Sequence, residues 1–124
     1  MSKVEKLIKK YYNHTFDDMG CYTSDDYKSF ERKYRNVLKE IGEEIGLDLH
    51  NFNGNHYEFS AVMKSKTDEK YYYISISDTR YWENEWCDSI LYRTMEHDKD
   101  YRGGSNHYSN LRNLGENLKR LMSI

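Results

Sequence analysis

Residues 70–77 read KYYYISIS, and this stretch decides the fold. Tyr72, Ile74 and Ile76 alternate with Tyr71, Tyr73 and Ser75, the two-residue period of a strand that turns one face to a core. Upstream, a polar turn at 65–69 separates it from a second alternating run. There Tyr57, Phe59, Ala61 and Met63 interleave with Glu58, Ser60, Val62 and Lys64. Asn53-Gly54 precedes that run, a dipeptide suited to the positive-φ positions of a two-residue hairpin turn. Before it, Leu47 and Leu49 alternate with Asp48 and His50. The span 47–77 therefore predicts a three-stranded antiparallel meander, and residues 90–95 add a candidate fourth strand.

Both flanks switch to the helical period. Val4, Leu7, Ile8 and Tyr11 share one face of a short helix over 3–12, with the lysines elsewhere. Ser24 is a natural N-cap for a second helix, with Asp25 and Asp26 in the first turn, where the helix dipole favours acids. Tyr27, Phe30, Tyr34, Val37, Leu38, Ile41 and Ile45 continue its apolar stripe up to Gly46, a C′ glycine. Gly42 lies inside this helix and predicts a close neighbour, because Gly there costs about 1 kcal/mol against Ala. From about Tyr108, Leu111, Leu114, Leu118, Leu121 and Met122 fall on one face of a final helix. The expected fold class is α+β: one domain over 1–124, order α-α-β-β-β-(β)-α. A three- or four-stranded antiparallel sheet carries two N-terminal helices and one C-terminal helix.

The 124 residues, 15.0 kDa, suit one domain. Mean hydropathy is −1.05 and 32% of residues are charged, a polarity that taken alone points to disorder. Thirteen Tyr, four Phe and two Trp argue for folding instead, since each ring brings a large apolar face. No apolar run reaches the length of a membrane span, and the N-terminus has no apolar signal core. Cys21 and Cys87 form no CxxC pair, so two free thiols and a cytoplasmic location are expected. A net charge of −2 excludes a strongly basic nucleic-acid binder, but the charge is segregated. Residues 1–12 carry +3, 78–100 carry −4 and 101–124 carry +3. Two surfaces of opposite sign are one expected consequence, and an ordinary mixed surface is the other.

The chemistry-bearing segment is 78–110, long for a connection and home to both tryptophans. Tyr81, Trp82 and Trp86 stand among Glu83, Glu85 and Asp88. They are either anchors of the core or an acidic-aromatic patch for a partner, because Trp and Tyr dominate binding hot spots. Further on, Gly103-Gly104 precedes Ser105 and Asn106, with Arg93, Lys99 and Arg102 nearby. Backbone N–H groups at such a turn could hold an anion, although the P-loop spacing and lysine are missing. His97 beside Asp98, with His107 downstream, is a poor acid–base pair on sequence grounds. His50, His56, His97 and His107 match no ligand spacing. No catalytic residue, metal site or cofactor is expected.

The run YISISD at 73–78, then Trp82, Trp86, ILYRT at 90–94 and KDYRGGSN at 99–106, resembles small orphan proteins of phages and plasmids in low-GC Gram-positive bacteria. The resemblance covers roughly the C-terminal two thirds. It implies a single-domain inhibitor of a host defence complex, as anti-CRISPR proteins are, and carries over no site residue. The expected function is accordingly non-enzymatic inhibition of a bacterial defence nuclease or ribonucleoprotein in the host cytoplasm. Tyr81, Trp82, Glu83, Glu85, Trp86 and Asp88 would meet the partner. One alternative is a binder of a signalling nucleotide that uses Arg93, Lys99, Arg102, Gly103, Gly104, Ser105 and Asn106. Another is a nucleic-acid-binding regulator of a mobile element that uses the basic terminal helices. A homodimer is compatible with a Tyr-rich sheet edge.

Overall fold

In the computed structural model, the meander predicted from 70–77 outward extends to five strands among the described residues. They are β1 (Leu47–Asn55), β2 (Glu58–Ser65), β3 (Tyr71–Ile76), β4 (Ile90–Met95) and β5 (His107–Ser109). They lie in chain order, and each neighbouring pair is antiparallel. Among the described residues, three helices complete the α+β domain: α1 (Lys3–Tyr11), α2 (Asp25–Ile45) and α3 (Leu114–Met122). The structure describes residues 2–11, 25–55, 58–76, 89–97 and 105–123. Among these, no helix is long and apolar enough to cross a membrane.

Register divides the sheet into two faces. Met63, Tyr72 and Thr94 stand opposite one another in one row; Phe52, Ala61, Ile74, Tyr92 and His107 form the next. These rows face the helices. Tyr72, Ile74 and Ile76 are buried there with Leu7, Ile8 and Tyr11 of α1, with Tyr34, Leu38 and Ile41 of α2, and with Leu118 of α3. Burying such a side chain contributes about 1.5–3 kcal/mol each. The centre is aromatic: Phe59 sits 4.8 Å from Tyr34 and 5.2 Å from Phe52, and Phe30 meets Tyr11 edge-on at 4.8 Å. Tilted and edge contacts bring the positive ring edge to a negative ring face, so the rings pack against one another among the aliphatic side chains of the core.

Two glycines behave as their positions predict. Gly46 has φ +84°, the left-handed conformation that ends α2. A Cβ at Gly42 would lie 2.5 Å from Met63 Cε and 2.7 Å from the Leu47 carbonyl oxygen, so the missing side chain lets α2 approach the sheet. Ser24, the predicted cap, lies outside the described residues.

Two expectations need correction. Asn53 and Gly54 are inside β1, opposite Ser60 and Phe59, and pairing continues to Asn55 and Glu58, leaving residues 56–57 to join the strands. Leu49 already pairs with Met63, a register that centres the turn beyond Gly54, and a bulge at His50, between Leu49 and Asn51, then sets Phe52 opposite Ala61 on the core face. Gly54 then leaves room for Glu31 of α2, whose carboxylate oxygens would stand 2.8 and 2.9 Å from a Cβ there. The tail also begins differently. Tyr108 lies in β5, paired with Leu91, and α3 starts only at Leu114 after a turn. The Asn110 side chain accepts a hydrogen bond from the Asn113 N–H at 2.8 Å in that turn. Arg112 in the same turn holds Glu5 of α1 through two bonds of 2.7 and 3.3 Å.

Candidate functional site

β3 and β4 stay paired to their last residues, Ile76 opposite Ile90. The two ends that residues 77–89 connect therefore lie side by side, on two hydrogen-bonded strands. Tyr81, Trp82, Glu83, Glu85, Trp86 and Asp88 belong to this segment and lie outside the described residues. What is described is their base. Ser75, Leu91 and Tyr108 stand side by side there, on the sheet face turned away from the helices. Tyr108 is 66% exposed, and among the described residues it is the large hydrophobic side chain most open to solvent. The base of the acidic-aromatic segment thus has an aromatic ring on a paired strand beside it, an arrangement suited to protein contact.

The helix-free face changes character toward its centre. Val62, Arg93 and Met95 are buried there although they point away from the helical core. Arg93 is 5% exposed; its guanidinium lies 4.8 Å from the Tyr73 ring centroid, and Nη1 donates to the Thr94 carbonyl at 3.4 Å. A planar guanidinium stacked on a ring keeps favourable contacts for a charge withdrawn from water.

The second candidate set is described only in part. Lys99, Arg102, Gly103 and Gly104 lie outside the described residues, while Ser105 and Asn106 are exposed just before β5. Residues 98–104 attach at the Met95 end of β4, and residues 77–89 attach at the Ile90 end. Five strand steps put the two attachment points about 17 Å apart. Arg93 lies on the helix-free face against Tyr73. Ser105 instead lines a cleft of about 500 Å³ around the Met95 end of the sheet, with Lys70, Tyr72, Thr94, His107 and Leu121. That volume lies within the small-molecule range. Burial pushes the Tyr72 hydroxyl above its usual pKa, and the nearby Asp68 charge adds to the shift. Ring stacking on Tyr92 at 5.2 Å holds His107 in the cleft wall, whereas His97 is exposed beyond β4 and Asp98 lies outside the described residues. Among the described residues, no group of three His, Cys, Asp or Glu could hold a metal ion.

Sequence reasoning missed Tyr108 as a surface residue, because three residues of β5 are too few to display a strand period. It missed the cleft as well, since only long-range register brings Tyr72, His107 and Leu121 together. No family model matches the chain, and no curated protein or solved structure matches it.

Proposed function

We propose that this protein is a non-enzymatic inhibitor of a bacterial defence nuclease, of anti-CRISPR type, that engages its target through residues 77–89. The observation that carries this reading is the attachment of that segment. An acidic stretch rich in Trp and Tyr is inserted between strands paired up to Ile76 and Ile90, with exposed Tyr108 at its base. Nucleic-acid-processing enzymes present basic clefts, and a negative surface on a rigid support supplies complementary charge and steers association. Aromatic anchors supply the contact area that charge alone lacks.

The test is a cleavage assay against RNA-guided and restriction nucleases of low-GC Gram-positive bacteria. Inhibition should saturate at a fixed ratio of inhibitor to enzyme. The triple variant Glu83→Lys, Glu85→Lys, Asp88→Lys should abolish it while the circular dichroism of the domain stays unchanged. An inert protein across the panel, or a triple variant as potent as the parent, would overturn the reading.

A further inference from the structure

The helical layer carries a feature of opposite sign. α1 and α2 enclose a groove of about 230 Å³ lined by Lys3, Lys6, Lys10 and Lys33, with Leu7 and Val37 at its floor. Three of these lysines follow at i, i+3 and i+7 along one face of α1, a span of about 10 Å. The fourth comes across from α2. Lys3 pairs with Glu40 at 3.5 Å, but among the described residues no carboxylate forms a salt bridge with Lys6, Lys10 or Lys33. Lys10 and Lys33 each place their ammonium 5.9 Å from the Tyr11 ring centroid, close enough for the two like charges to repel. Desolvation first, and Lys10 second, hold the Lys33 ammonium below the usual lysine pKa; Arg32 adds to this and Asp26 opposes it.

Two like charges held together over a ring destabilise the unliganded groove, and an anion between them would relieve that repulsion. We propose that the α1–α2 groove binds a compact oxyanion of several charges, a di- or triphosphate group, between Lys6, Lys10 and Lys33. Its short length, set by the span from Lys3 to Lys10, suits one such group rather than a long polyanion track. Lysine provides compact point charges for phosphate oxygens, and the rotating ammoniums can follow the group's shape. The site shares no residue with the surface proposed for nuclease inhibition and stands independently of it.

Calorimetry with inorganic tripolyphosphate on the full chain tests this. One ion should bind per chain, and binding should weaken as salt screens the charges. Lys6→Gln, Lys10→Gln and Lys33→Gln together should lower the affinity at least tenfold. A control, Lys9→Gln with Lys39→Gln, removes exposed charge from the same two helices outside the groove and should change the affinity less than twofold. Glutamine keeps helix propensity close to that of lysine, so both variants should fold. Absence of binding overturns the proposal, as does an equal loss in the control variant, which would mean diffuse charge. A single-stranded oligonucleotide that binds where tripolyphosphate does not overturns it too, in favour of a nucleic-acid track.

Discussion

At the scale of single residues, Gly42 and Gly115 make opposite statements about the same substitution. Both are helical, and alanine is the better helix former by about 1 kcal/mol. At Gly42 the added methyl would press on the Leu47 carbonyl oxygen, a backbone atom that cannot swing aside, as well as on Met63 Cε. Overpacking of this kind costs about 1–3 kcal/mol, which outweighs the propensity gain. At Gly115 the nearest atom to a new Cβ is Ile41 Cγ2 at 3.5 Å, an ordinary contact. Urea denaturation should therefore show Gly42→Ala less stable than the parent and Gly115→Ala more stable, the latter by up to about 1 kcal/mol. Equal midpoints for the two variants would mean that α2 does not approach the sheet as closely as described. The demand at Gly42 was legible in the sequence, because a glycine within an unbroken apolar stripe needs a reason. The space Gly54 leaves for Glu31 was not, since it depends on pairing between elements far apart in the chain.

At the scale of elements, α3 closes the core through Leu114 and Leu118, both fully buried, while Leu121 remains half-exposed beside the cleft. Leu118→Ala should destabilise the domain by about 2–5 kcal/mol, whereas Leu121→Ala should cost clearly less, because solvent can enter the space it leaves. Thermal denaturation of the two variants checks the order, and a reversed order would place the wrong face of α3 inward. Period alone sufficed for α1, α2, β2, β3 and the buried face of α3. It failed where long-range pairing decides. Asn53-Gly54 carries the residues of a tight turn, yet the pairing of Leu49 with Met63 and of Phe52 with Ala61 keeps it within the strand. His107, Tyr108 and Ser109 carry no period of their own and become a strand by pairing with β4. The candidate site divides in the same way. Its residue types could be read as acidic, aromatic or anion-holding, but sequence proximity could not reveal that Arg93 lies over Tyr73 or that Ser105 lines a cleft with Leu121.

At the scale of the whole molecule, several tyrosines are buried alongside the aliphatic core, and this ties stability to alkaline pH. Tyr11 and Tyr72 are both buried, and desolvation raises both hydroxyls above the ordinary value of 10.0. Asp26 and Asp68 push in the same direction, while Ser29 and Arg32 pull Tyr11 back in part. In the unfolded chain these hydroxyls ionise near pH 10, but in the folded chain they keep their protons to higher pH. Above about pH 10 the folded state therefore binds more protons than the unfolded state, and the free energy of unfolding falls as pH rises. Their contribution is fully present below that pH and is lost through the folded pKa values, so these two groups leave stability level across the neutral range. Denaturant midpoints measured from about pH 8 to about pH 11 should be flat at first and then drop. In a Tyr11→Phe, Tyr72→Phe variant the drop should be shallower, because phenylalanine packs the same ring and has no proton to lose. An unchanged slope in that variant would assign the alkaline loss to other groups and would contradict a core in which these two hydroxyls are buried.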